Sequence, residues 1–149
     1  MMRGMRRNSG RNNLKSNSII VVFGFADGSY IKEALKYNKE AKFIVYEPCQ
    51  EVFWQVFGRQ EVAELLESEN LYLIIGGINE SLVFGYLESF VGYSNFKLVE
   101  TCVLPNYDRL FQEAYRNLLD KHLFVVRQLI FSRNTELIFG REFLRNMLN

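Results

Sequence analysis

Gly24, Asp27, Gly28 and Glu47 are the residues of this chain whose types and spacing could hold a ligand. Gly24 and Gly28 bracket a short turn in which a backbone without Cβ atoms can approach a bound group closely. Ile31, Ala34 and Leu35 follow at helical spacing, and the amino terminus of such a helix favours an anion. Asp27 already places a negative charge there, so a ribose or an amine suits the turn better than a pyrophosphate. Glu47 stands 19 positions after Gly28 at the end of an apolar run, where a carboxylate can accept from ribose hydroxyls. The four residues form a candidate edge for a nucleotide or S-adenosylmethionine-like cofactor. Ala26 replaces the middle glycine of a full dinucleotide fingerprint. An architectural role competes with binding: the glycines permit a tight turn and close helix–strand packing, and Glu47 can cap the next helix.

No other constellation carries chemistry. His122, the single histidine, lies within a helical pattern without a Ser or Cys nucleophile at a recognisable spacing, so a surface or packing role is expected. No Cys/His cluster has the spacing of a zinc site. Phe53, Trp54 and Phe57 could make an aromatic platform, but core packing of a helix is the expected use. Glu67 and Glu69 read as solvated turn charges. No catalytic residue and no metal ligand is assigned.

The elements that would position the candidate edge alternate. Ile19–Phe23 is an unbroken apolar run, as in a strand buried on both faces, and Ser29–Tyr37 reads as a helix. Ala41–Glu47 is a second strand, closed by Pro48. Glu51–Phe57 and Gln60–Leu66 read as helices separated at Gly58. Leu71–Ile75, Ser81–Val91 and Phe96–Leu104 give strand, helix and strand. Such alternation predicts an α/β fold, a Rossmann-like and mainly parallel sheet of about four strands flanked by helices. From Tyr107 to about Phe131 a long helix carries a broad apolar stripe, and Asn134-Thr135 can cap a last helix, Glu136–Leu148. A carboxy-terminal helical hairpin is therefore expected, with apolar surface suited to docking on another domain or on its own sheet. The domain reading is a basic arm, 1–17, an α/β domain, 18–105, and a helical extension, 106–149.

A chain of 149 residues, 48% hydrophobic, can bury one good core. Net charge is +1, but five of the 18 basic residues (Arg3, Arg6, Arg7, Arg11 and Lys15) precede the first acid, Asp27. The remainder carries 17 acidic against 13 basic residues, a balance that argues against nucleic acid as a partner. The arm itself has the composition of a disordered tail. Cys49 and Cys102 read as reduced thiols of a cytoplasmic protein, and no run is long enough to cross a bilayer. A basic start before an apolar run also resembles a secretory signal, but this run is short, broken by Gly24 and continued by a helical pattern.

Three stretches together resemble a known family. Ile19–Leu35 (IIVVFGFADGSYIKEAL), Ile44–Pro48 (IVYEP) followed by Val52-Phe53, and Asn134–Asn146 (NTELIFGREFLRN) are similar to the amino-terminal part of the motility-associated-factor (Maf) proteins. These are bacterial glycosyltransferases that attach nonulosonic acids to serines and threonines of flagellin. The resemblance spans nearly the whole chain after Ser18, and its tail is the most specific part. The family's loop usually has glycine where Ala26 stands, and its Gly-Pro-Ser-Leu sugar-nucleotide motif occurs nowhere in this sequence. The resemblance therefore implies a non-catalytic amino-terminal domain, or a short relative, that meets its own transferase domain or a partner subunit through the terminal helices. Flagellin would be the substrate of the full-length enzyme. A methyltransferase-like domain using S-adenosylmethionine and a protein-interaction module are the competing readings.

Overall fold

The computed structural model describes residues 18–92 and 94–148, with side chains described up to Ser132 and again over 145–147. The basic arm, 1–17, lies outside the described residues, as do the side chains of most of the family-like tail. Four strands form one all-parallel sheet: β1 (Ile19–Phe23), β2 (Lys42–Glu47), β3 (Leu71–Ile75) and β4 (Val99–Val103), in the order β3-β2-β1-β4. β1 has a strand on either side and all five of its residues are buried, which is why it reads as a continuous apolar run.

The two-residue period of the strands divides this apolar content between two cores. Ile20 and Val22 of β1, with Phe43 and Val45 of β2, face α1 (Ser29–Tyr37), α2 (Gln50–Val56) and α3 (Gln60–Leu66). They pack there with Ile31, Ala34, Phe53 and Val62. Ile19, Val21 and Phe23, with Ile44 and Tyr46, face α4 (Leu82–Phe90) and α6 (Gln112–Leu148), where they meet Val83, Leu87, Leu118 and Val125. A Rossmann-like layering of helix, sheet and helix follows.

Two sequence expectations are corrected. Phe96–Leu98 forms a turn of 3₁₀ helix, so β4 begins only at Val99. Buried Asn95 fixes this entry: its side chain accepts from the Gly92 N–H at 2.7 Å and donates to the Phe90 carbonyl at 2.8 Å. Among the described residues one continuous helix stands in place of the expected helical hairpin. A single turn, α5 (Tyr107–Leu110), leads into α6, which runs unbroken for 37 residues through Asn134-Thr135. Asn and Thr inside a helix cost well under about 1 kcal/mol each, less than the hydrogen bonds lost by stopping there, and no proline enforces a break. At about 1.5 Å per residue α6 is about 55 Å long, some three times the height of the strands. Among the described residues no helix is long and apolar enough to cross a membrane.

Candidate functional site

In an open parallel sheet ligands settle beyond the carboxyl ends of the strands, where the strand order reverses, here between β1 and β4. The loop leaving β1 has glycine-like backbone at three of its five positions: Gly24 at φ +113°, Ala26 at +51° and Gly28 at +83°. Ala26 therefore stands in the conformation that a middle glycine would take freely, although it carries a Cβ. The loop is held open from below. Gly24 N–H donates to the Tyr46 carbonyl at 2.7 Å, continuing the β1–β2 ladder beyond Phe23.

Glu47, the last residue of β2, is completely buried. Its Oε1 accepts from the backbone N–H of Phe25 (3.1 Å) and of Ala26 (2.9 Å) and from the Tyr107 hydroxyl (2.8 Å). Its Oε2 accepts from the Cys49 N–H (3.1 Å) at the start of α2. A carboxylate in a low-dielectric site needs such donors in place of water, and here the chain supplies four. Burial, then the neighbouring carboxylate, hold the Tyr107 hydroxyl far above its ordinary pKa, so it remains a donor at any physiological pH.

Tyr107 also fills the space above the loop. A Cβ at Gly24 would lie 2.9 Å from its Cδ1 and 3.0 Å from the Leu104 Cβ. The close approach that Gly24 allows is thus made by an aromatic ring of the same chain. The Tyr107 ring meets Phe23 edge-on, with centroids 6.2 Å apart and planes at 88°, and lies 5.3 Å from Phe111. It belongs to both cores, packing against the residues on either face of the sheet.

Glu47 is hydrogen-bonded to the loop that carries Gly24, Asp27 and Gly28, so the four residues of the expected ligand edge lie close together, but they differ in what they face. Gly24 and Glu47 face inward to Tyr107. Asp27 is exposed and accepts from the N–H (3.0 Å) and the hydroxyl (2.7 Å) of Ser29, which hold its carboxyl below the usual range and fasten the start of α1. Gly28 is buried against Leu65 and Phe25. Asp27, Gly28 and Ser29 instead border a cavity of about 290 Å³ with Lys32, Arg59 and Val62, on the α1–α3 side. Its charged rim is mixed in sign.

The other candidates fall out as follows. His122 is half-buried, with Nδ1 3.5 Å from Thr101 Oγ1, and burial lowers its pKa. Phe53 is core, whereas Trp54 and Phe57 are about half exposed and lean on it, so the aromatic cluster is only partly core as expected. Glu67 and Glu69 are exposed. Cys102 is buried and Cys49 half-buried, and neither is in a disulfide. Among the described residues no three His, Cys, Asp or Glu gather as a metal site. Tyr107 was not singled out by sequence reasoning. The Pro105-Asn106 turn before it, with Asn106 at φ +69°, marks a reversal after β4, but nothing local shows that the next side chain crosses β1 to reach β2.

No protein-family model matches the chain, and no curated protein or solved structure matches it significantly.

Proposed function

We propose that the chain is a non-catalytic, Rossmann-like amino-terminal domain of a Maf-type glycosyltransferase. The full enzyme would transfer a nonulosonic acid to serines and threonines of flagellin in the cytoplasm. The observation that carries the non-catalytic part is that Glu47 and Gly24, the residues placed to hold a nucleoside, are engaged by Tyr107 and the loop backbone. The family assignment rests on the resemblance of the three stretches. α6 supports a connecting role: its 37 residues make it far longer than the strands are tall, and Leu123, Phe124 and Ile130 are exposed along it. These residues would meet the transferase domain or a partner subunit.

The test incubates the purified chain with flagellin and a CMP-activated nonulosonic acid, then weighs the intact flagellin. No mass increase is expected from the chain alone, and co-elution with a separately expressed Maf transferase domain is expected in size-exclusion chromatography. Sugar transfer by the chain alone, or no complex, overturns the proposal. The methyltransferase-like reading requires Glu47 to accept from ribose hydroxyls, and its oxygens already accept four donors from this chain. Calorimetry with S-adenosylmethionine separates the two: saturable heat abolished by Glu47→Ala would favour the methyltransferase.

A further inference from the structure

The two edges of the sheet are finished differently. On β3 the Leu71, Leu73 and Ile75 backbone groups point outward, since Phe43 N–H donates to the Asn70 carbonyl and Gly76 N–H to the Glu47 carbonyl on the inner side. The chain caps most of that edge itself. Asn79 accepts from Ile75 N–H at 2.7 Å and donates to the Leu73 carbonyl at 3.2 Å, in the place a further strand would take. β4 carries no such cap. Leu104 N–H donates to the Phe23 carbonyl, so by alternation the Val99, Thr101 and Val103 backbone groups point away from β1. Among the described residues none of these groups meets a hydrogen-bond partner. An open edge rich in β-branched residues is a template for another strand.

α6 brings a second unpartnered feature to the same side. Leu118 and Val125 face the core, His122 lies beside Thr101 of β4, and Phe124 turns toward Phe84 on α4 with ring centroids 5.6 Å apart. The other flank of the helix faces away from α4 and so lies beyond β4. There Leu119, Leu123, Val126 and Ile130 follow at spacings of four, three and four residues, the pattern of a two-helix seam. Leu123 is 47% and Ile130 44% exposed.

We propose that this side of the fold is the interface of a symmetric dimer, in which β4 pairs antiparallel with β4 of a second copy and the two α6 helices meet along the stripe. A two-fold axis beside Thr101 uses the same edge twice. It sets Thr101 opposite Thr101 of the second copy and Val99 opposite Val103, so every outward N–H and C=O of both strands is paired. The same axis serves α6. Setting Leu119 against Ile130 and Leu123 against Val126 centres the stripe within about one helical turn of His122, the residue beside Thr101. Asp120 and Arg127, both exposed along the outer border of the stripe, then come opposite each other in both directions. Edge, stripe and charge pair are each self-complementary about one axis, which selects a second copy of this chain over an unrelated partner. The proposal names the partner subunit that α6 would meet, and it stands whether or not the chain belongs to a glycosyltransferase.

The test uses the full chain in size-exclusion chromatography with light scattering. At about 100 µM it should elute at twice the chain mass and dissociate on dilution toward about 1 µM. Asp120→Arg, which sets like charges across the seam, should weaken the dimer about tenfold, and Asp120→Arg combined with Arg127→Asp should recover most of the loss. Both positions are exposed in the single chain, so neither change threatens the fold. The register is read by cross-linking. Thr101→Cys in a Cys49→Ser background should form a disulfide-linked dimer on mild oxidation, and Cys49→Ser alone should not. A monomer at about 100 µM overturns the proposal, as does a dimer that Asp120→Arg leaves intact or that Thr101→Cys fails to lock. A monomer whose Thr101 amide still resists hydrogen exchange also overturns it and assigns the edge to another segment of the same chain. Sugar transfer and co-elution with a transferase domain are separate measurements, so failure of the dimer leaves the glycosyltransferase assignment where it was.

Discussion

Ala26 is the residue at which sequence and backbone disagree most directly. Its φ of +51° lies in the left-handed region, which costs a residue with a Cβ about 1–2 kcal/mol, while glycine enters it freely. Part of that gain is offset because glycine loses more chain entropy on folding. Ala26→Gly is therefore expected to stabilise the chain by about 0.5–1 kcal/mol, seen as a higher urea midpoint with the slope unchanged. A lower midpoint would mean that the Ala26 methyl packs better than its backbone strain costs. Glu47 makes the opposite case. Glu47→Gln keeps the shape but replaces an oxygen that accepts with a nitrogen that donates, so an N–H or the Tyr107 hydroxyl loses its partner. A loss of about 2–4 kcal/mol is expected in the same denaturation experiment, since hydrogen bonds to a charged group are worth about 1.5–3 kcal/mol each. A cost below about 1 kcal/mol would show that the carboxylate charge is not what holds the loop. The type and position of Glu47 were legible in the sequence, but not its orientation. A carboxylate at that place can turn outward to a ligand or inward to its own loop, and the choice depends on Tyr107, 60 positions away.

At the scale of elements, the strands were legible because their burial is repetitive. β1 and β3 fall where the apolar runs place them, and β2 differs by one residue at its start. The long helix was harder, because propensity is nearly flat across Asn134-Thr135 and a capping pattern competes with an uninterrupted ladder of hydrogen bonds. The structure also resolves which of the helix's many apolar residues are core. Leu118 and Val125 are buried against the sheet, with Tyr115 and Leu129 partly so, while Leu123 is 47% exposed. Leu118→Ala should therefore cost about 2–5 kcal/mol, and Leu123→Gln should stay within about 0.5 kcal/mol of wild type. The discriminating measurement is the difference between the two urea midpoints. If Leu123→Gln destabilises the isolated chain as much as Leu118→Ala, the exposed side of α6 is covered by the chain itself, and its role as a docking surface fails.

For the whole molecule, the decisive features are the joints between layers, and those are where single-sequence reasoning reaches least. Glu47 with Tyr107 closes the carboxyl ends of three strands, and His122 sits where α6 crosses β4 beside Thr101. Each pair joins segments distant in sequence, so no local pattern announces it. The second joint has a consequence for acid stability. Burial lowers the His122 pKa below its ordinary 6.5, so the folded state resists a proton that the unfolded chain accepts. The neutral imidazole's contribution is fully present above pH 6.5 and is lost as the pH falls from there through the folded-state value. Urea midpoints measured between pH 8 and pH 5 should fall across that window in the wild type. In His122→Gln, which keeps a polar side chain beside Thr101 but has no proton to take up, the fall over the same window should flatten. Equal slopes in the two proteins would show that His122 is solvated in the folded state, and that the contact between α6 and β4 is looser than its 3.5 Å separation implies.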